Sequence, residues 1–397
     1  MKNFLFITTN NLSTNPRLLK EIHLAIFLGN RVTVCMFHLG NWSDYLNLKH
    51  IQELRGVTFL IISATHKPLV PWLISSIFEK IARKLPISLL TKNILSVAVG
   101  KRSWLIQKSI HRINGPFDWV IAHNPAAFYP AMKIAKMYKA ALGIDVEDYH
   151  PGETKNKKMQ VVTLELMKQV LPEAHYCSYA APLIMKEIHQ EIPGLKNQQL
   201  VLLNSFPEKE FQYPKSIQKS ALQLVWYSQN IDFGRGLEPL IEAVDTLYPQ
   251  IELNLIGNVR SRFMGQIIAC KKGIKIHGVM SQYSLHSFLA HCDVGLALDI
   301  PINHNRELAL TNKIITYAQA GLFILATDIS PHKDFLEYYK LRFNLFNVMS
   351  YNILDILSKL IENKSSIRSN RMETYLQSKK FAWEKICLPL KHEWEKI

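Results

Sequence analysis

Short runs of strand-forming residues alternate with longer helix-forming segments along this chain, and the alternation runs through twice. In the first half, residues 4–8, 32–37, 57–63, 119–122 and 141–146 read as buried strands. Residues 16–28 between the first two read as a helix, with Leu18, Leu19, Ile22, Ala25 and Ile26 on one side and Gly29-Asn30 as its stop. After Asn204 the rhythm restarts, with strands at 222–227, 251–256, 274–277, 294–298 and 323–326 and helices near 237–247, 284–291 and 312–320. Strands that alternate with helices close into parallel, doubly wound sheets. The chain has 397 residues, which suits two such domains better than one. The expected organisation is α/β: a first Rossmann-like domain over 1–205, a linker over 206–220 containing Pro207 and Pro214, and a second Rossmann-like domain over 221–375. An aromatic tail over 381–397, with Trp383 and Trp394, reads as a closing helix that joins the first domain. No sequence repeat relates the halves.

Hydrophobic residues make up 48% of the chain, enough for two cores, and no low-complexity stretch interrupts it. Cys35, Cys177, Cys270, Cys292 and Cys387 are scattered without a CxxC pair, which predicts reduced, packed thiols. Residues 1–3 lead straight into a strand, and no run of 18 uncharged apolar residues occurs. Both features predict a cytoplasmic protein without a leader or a transmembrane helix. The net charge is +15, and residues 1–205 carry most of it, with 24 Lys and Arg against 13 Asp and Glu. Such a balance points to an anionic partner, whether a phosphorylated substrate, an anionic lipid or nucleic acid. No aromatic-interleaved recognition module accompanies it, so nucleic acid is not expected.

In open parallel sheets, ligands bind beyond the carboxyl ends of the strands. Four loops there carry chemistry. Residues 229–236 place Arg235 between Gly234 and Gly236 ahead of a helix, a setting for a diphosphate. Pro239 stands where a dinucleotide fingerprint needs its third glycine, and a surface arginine in a tight turn is the plainer alternative. Residues 307–313 place Thr311 as an N-cap, Asn312 at the helix start and Lys313 in its first turn, against the dipole's preference for acids. A bound anion would explain Lys313; a solvated lysine is the alternative. His123 ends a strand, where it either faces a ligand or is a satisfied structural residue. Asp145, Glu147, Asp148 and Glu153 follow another strand and could serve as a base, as metal ligands or as helix-start acids. Histidine spacing gives no zinc site, and no GxSxG, P-loop or HExxH motif is present.

Taken in order, these loops resemble the GT-B glycosyltransferases, specifically the retaining family 4 type, over nearly the whole chain. Residues 15–21, beginning Asn15-Pro16-Arg17, resemble the family's first loop and helix, and Gly29-Asn30-Arg31-Val32-Thr33-Val34 resembles its G-H-x-V-T-V. Residues 118–125, with His123, and 145–153, with Asp145 and Asp148, resemble its two later first-domain loops. In the second half, Arg235-Gly236-Leu237 falls at K-G-l, Leu255-Ile256-Gly257 and Ile276-His277-Gly278-Val279 fall at segments bordering the nucleobase, and Thr311-Asn312-Lys313-Ile314 opens the helix that meets phosphates and ribose. Three departures stand out. Asn230 replaces a frequent arginine, Glu147 replaces the histidine of D-x-H-E, and Leu308 and Thr316 occupy the glutamate positions of E-x7-E, with Glu307 one residue off register.

The resemblance implies transfer of a hexosyl-type sugar (EC 2.4 class) from a UDP- or GDP-sugar, with retention and with no required metal or cofactor. It implies an acceptor in the first domain, a cell-surface glycan or a lipid-linked precursor. Implied roles are catalytic for His123 and Glu307, phosphate-binding for Arg235, Gly236, Thr311, Asn312 and Lys313, nucleobase or ribose contact for Gly257, Val279 and Thr316, and acceptor contact for Asn15, Arg17, Asp145 and Asp148. An epimerase of the same fold, or a catalytically silent sugar or lipid binder, is the alternative. Residues 68–112, apolar and basic with Glu79 their single acid, suggest peripheral attachment to an anionic membrane surface on the cytoplasmic side.

Overall fold

A computed structural model describes residues 1–347 and 352–396. Residues 348–351 of the expected second domain and residue 397 of the expected tail lie outside the described residues. The chain divides into two compact units, Met1–Leu202 with Leu388–Ile397, and Leu203–Cys387.

The first unit is built on a seven-stranded parallel sheet of β1 (Asn3–Thr8), β2 (Arg31–His38), β3 (Thr58–Ser63), β4 (Trp119–His123), β5 (Ala141–Val146), β6 (Tyr176–Tyr179) and β7 (Gln198–Val201). Its strand order is β3-β2-β1-β4-β5-β6-β7. The winding therefore reverses between β1 and β4, and a crevice opens beyond their carboxyl ends. Register puts Thr8 beside His123, and His123 beside Asp145, at that edge. Helix Pro16–Phe27 begins there because Asn15 caps it, accepting from the Leu18 N–H at 3.1 Å, and Pro16 needs no partner for its nitrogen. β6 and β7 are additions to the sequence reading. At four residues each, with Tyr-Cys-Ser-Tyr and Gln-Gln-Leu-Val as their content, they are too short and too mixed to show a period. The last helix, Leu388–Glu395, returns to this unit. Its Trp394 packs edge-on against Phe4, centroids 4.9 Å apart, donates from Nε1 to the Tyr176 hydroxyl at 3.2 Å, and offers its carbonyl to Lys2 Nζ.

The second unit has a six-stranded parallel sheet of β8 (Leu222–Ile231), β9 (Ile251–Val259), β10 (Ile274–His277), β11 (Val294–Ala297), β12 (Phe323–Thr327) and β13 (Phe343–Phe346), in the order β10-β9-β8-β11-β12-β13. Here the reversal lies between β8 and β11. β13 is the strand that the sequence reading lacks. Trp226, Leu253, Leu296 and Leu325 belong to its apolar core. β8 extends past its apolar stretch through an irregularity between Tyr227 and Asn230, opposite Gly257 on β9. A Cβ on Gly257 would lie 1.9 Å from the Ser228 carbonyl oxygen, so glycine is what allows the two strands to meet there. Phe206 is tied into this unit by Gln319, whose Nε2 donates to the Phe206 carbonyl at 2.8 Å.

Four of the five cysteines are buried, as expected; Cys270 is exposed. Burial pushes the Cys35, Cys177 and Cys292 thiols up to about 12. No helix among the described residues is long and apolar enough to cross a membrane.

Candidate functional site

In the second unit, the residues beyond the carboxyl ends of β8, β11 and β12 bring cations together. Arg235 is exposed in a turn where Gly234 and Gly236 both take left-handed backbone angles, φ 71° and 74°. The turn is held by the Gly234 N–H donating to Glu238 Oε1 at 2.9 Å. Lys313 stands in the first turn of helix Asn312–Gln319, with its Nζ 5.6 Å from the centroid of the Trp226 ring on β8. Thr311 is the N-cap by position, yet its side chain makes no capping bond and no acid occupies the first turn. Burial lowers the Lys313 pKa; Asp299 opposes this, while Arg235 and Arg306 depress it further. Around Lys313, two arginines thus act against one carboxylate, Asp299, and a bound anion would relieve the excess.

Asp299 lies two residues past β11 and accepts from Arg306 Nη1 at 3.2 Å. His332, fully buried in helix Ser330–Tyr338, donates from Nδ1 to the Thr327 carbonyl at 2.9 Å. That bond leaves Nε2 as the acceptor of a neutral ring, and burial lowers the His332 pKa in keeping with it. Nε2 faces Asp299 Oδ2 at 3.8 Å, and neither atom has a hydrogen-bond partner among the described residues. Two buried acceptors side by side suit a hydroxyl donor. Asp299, Arg306 and His332 escaped the sequence reading. The strand-end rule that selected Lys313 reaches them too, since each lies within a loop or first turn of the same edge.

The remaining second-unit candidates are spread more widely. Glu307 is exposed on the short helix His304–Leu308 and accepts from His304 Nδ1 at 2.9 Å. Thr316 is buried, donates to the Asn312 carbonyl at 2.8 Å and accepts from the Tyr227 hydroxyl at 2.9 Å. Val279 is exposed in the loop after β10, and Gly257 sits at the β8–β9 approach.

The first unit's candidates gather into a buried ion network. Arg17, Glu21, His123 and Asp145 are each at most 2% exposed, so solvent does not screen them. Arg17 grips Asp145 with two guanidinium nitrogens and donates Nη1 to the Leu202 carbonyl at 2.5 Å. Ser178 Oγ donates to Asp145 Oδ1 at 2.6 Å. His123 Nε2 meets Glu21 Oε2 at 3.2 Å, and Nδ1 stands 3.3 Å from Asp145 Oδ2, at ion-pair distance though out of hydrogen-bond alignment. Burial alone would lower the His123 pKa; Glu21 and Asp145 outweigh it and lift it to about 10. Burial would likewise raise Asp145, but Arg17 and His123 hold it well below the usual carboxylate range. The imidazolium is therefore charged at neutral pH. Ligand atoms of Glu21, His123 and Asp145 lie within 4.8 Å of one another, spacing that a metal could use, yet the two carboxylates already face two cations. Asn15 is consumed as a helix cap. Asp148 is half-buried, and burial beside Asp145 and Asp148 raises the Glu147 pKa against the pull of Arg17.

No protein-family model matches the sequence, and no curated protein matches it. Solved structures do. HepE of Anabaena, in a structure with UDP, superposes over the whole of both chains at 14% identity and a TM-score of 0.68. Sucrose-phosphate synthase of Thermosynechococcus elongatus covers 100% of this chain and 99% of its own at 13% identity and 0.67. TarM gives the same coverage at 10% identity and 0.67. The fold is GT-B. Both parallel sheets of this GT-B chain, each with its reversal point, are thus accounted for end to end, and at these identities the likeness is one of architecture.

Proposed function

We propose that this GT-B protein is a glycosyltransferase that moves a hexosyl-type sugar from a UDP- or GDP-sugar to a glycan or lipid-linked acceptor, with retention, at the cytoplasmic side of a membrane. The observation that carries this reading is the convergence of Arg235, Arg306 and Lys313 at the carboxyl edge of the second sheet, where burial lowers the Lys313 pKa and both arginines depress it further. A leaving diphosphate needs that unbalanced positive charge, together with the amides at Thr311-Asn312-Lys313. Structures of the architecturally similar HepE with UDP and with UDP-glucose support the choice of ligand. In this reading Gly236 lets the backbone approach the phosphates, and Gly257, Val279 and Thr316 border the base and ribose. Glu307 and the acceptor pair of Asp299 and His332 meet sugar hydroxyls. His123 is assigned to the sugar, and Asn15, Arg17, Asp145 and Asp148 to the acceptor side. The chemistry draws on the chain's own charges and needs no metal or cofactor.

Calorimetry with UDP, GDP and their glucose and mannose conjugates tests it. One nucleotide series should bind and raise the melting temperature, since ligand at 100 times its Kd adds about 2.7 kcal/mol. Absence of binding in every series would remove the donor-site assignment.

A further inference from the structure

Helix Leu69–Lys84 is inside out. Its polar side faces the protein: Ser75 and Ala82 are buried, Lys101 Nζ donates to Ser76 Oγ at 3.0 Å, Arg83 Nε donates to the Ala98 carbonyl at 2.8 Å, and Glu79 accepts from Arg83 Nη2 at 2.8 Å. Its apolar side faces out: Val70, Leu73, Ile74, Ile77, Phe78 and Ile81 are between 36% and 65% exposed. A surface helix of a globular protein does the reverse. Six large apolar side chains in succession on one face form the kind of patch that marks an interaction site.

We propose that this helix docks the first unit on an anionic lipid bilayer, lying in the headgroup plane with its apolar side down. The proposal deepens the membrane location in the glycosyltransferase reading and is independent of its donor site, which concerns the second unit. Charge selects the occupant. Residues 67–112 hold nine Lys and Arg and a single acid, Glu79, which Arg83 already engages. Lys80 and Lys84 are exposed on the helix itself and have no carboxylate partner among the described residues. Cations beside an exposed apolar face suit a surface that is negative outside and apolar beneath. A second copy of the chain would set the unpaired Lys80 and Lys84 against their equals. The helix has 16 residues, roughly 24 Å, too short to span a hydrocarbon core, so it lies along the surface.

Flotation with vesicles of phosphatidylcholine, alone or mixed with phosphatidylglycerol, tests the docking. The full chain should float with the mixed vesicles, stay behind with the neutral ones, and release as salt is raised. Lys80→Glu with Lys84→Glu should cut the bound fraction roughly tenfold or more, and Leu73→Ser with Ile77→Ser and Ile81→Ser should abolish it. All five positions are exposed, so circular dichroism and nucleotide binding should stay at the wild-type level in both variants. Arg83 is left alone because it holds the helix to the body. Equal flotation with both vesicle types, flotation with neither, or unchanged flotation of either variant overturns the proposal. So does a concentration-dependent dimer that the serine variant dissolves, since that would give the face to a second copy.

Discussion

Arg17 holds Asp145 through two parallel contacts, Nε to Oδ2 at 2.9 Å and Nη2 to Oδ1 at 2.5 Å, with both side chains buried. The pair joins the start of helix Pro16–Phe27 to the end of β5, elements more than a hundred residues apart. Asp145→Asn leaves the guanidinium buried without its counter-charge. We expect a loss of about 3–5 kcal/mol in urea unfolding of the first unit. The double variant Arg17→Met with Asp145→Leu should lose less than the sum of the single changes, because it removes both charges. A purely additive cycle would show that the pair is not coupled.

The same network sets a pH window. The folded pKa of His123, about 10, lies above the ordinary value of roughly 6.5. Its contribution to stability is therefore complete below about 6.5 and is lost as pH rises through 10. Asp145 is depressed, so its contribution is present above its ordinary value of about 3.9 and is lost as the medium becomes more acidic. Urea midpoints should fall on both sides of that interval, and His123→Gln should remove the alkaline limb and weaken the acid one, because the imidazolium also holds Asp145 down. The same variant tests substrate contact. If His123 touches the sugar, kcat falls at pH 7 well beyond what the loss of folded protein explains.

Arg235→Ala and Lys313→Ala should each weaken nucleoside-diphosphate binding by about 1.5–3 kcal/mol, the usual worth of a charge-assisted contact. Arg235 is exposed, so the fold should not notice its loss. Unchanged affinity in both variants, read by calorimetry, would sink the phosphate site.

Binding should also take up protons. Burial and two arginines lower the Lys313 pKa in the free protein, and an anion beside it restores the charged form. Somewhat below the ordinary lysine value of about 10.4, the apparent binding enthalpy should vary with the ionisation enthalpy of the buffer, with the sign of proton uptake. Lys313→Ala should remove that variation. Its persistence in the variant would assign the proton to another group.

Gly257→Ala would force a methyl carbon into the Ser228 carbonyl, 1.9 Å away, at a backbone φ of 141°. We expect a loss of about 1–3 kcal/mol from overpacking, seen as a lower melting temperature for the second unit. A change within error would mean that β8 shifts freely at its irregularity.

The two parallel sheets were legible because their long strands are largely apolar runs between helix-forming stretches, as at 4–8 and 222–227. Strands β6, β7 and β13 were not, because Tyr-Cys-Ser-Tyr, Gln-Gln-Leu-Val and Phe-Asn-Leu-Phe are short and mixed in polarity, and their pairing comes from neighbours already in place. Lys313 could be found because a cation in a helix's first turn breaks a local electrostatic rule. The partnership of Arg17, Glu21, His123 and Asp145 was hidden for a different reason. Each residue looked like a separate motif position, and only the register of β1, β4 and β5 brings them into one buried cluster. The outward turn of helix Leu69–Lys84 was equally hidden, since periodicity reports that a helix has two sides without saying which one the body covers.

Trp394 has a consequence for the order in which the protein is made. Its ring closes over Phe4 and reaches the Tyr176 hydroxyl, so the first unit's core is finished by residues that follow Leu203–Cys387 in the chain. A ribosome translating this message must produce the entire second unit before it delivers that ring. Until then the nascent first unit carries an uncovered patch beside β1, and during synthesis a chaperone that recognises apolar surface has its opportunity there.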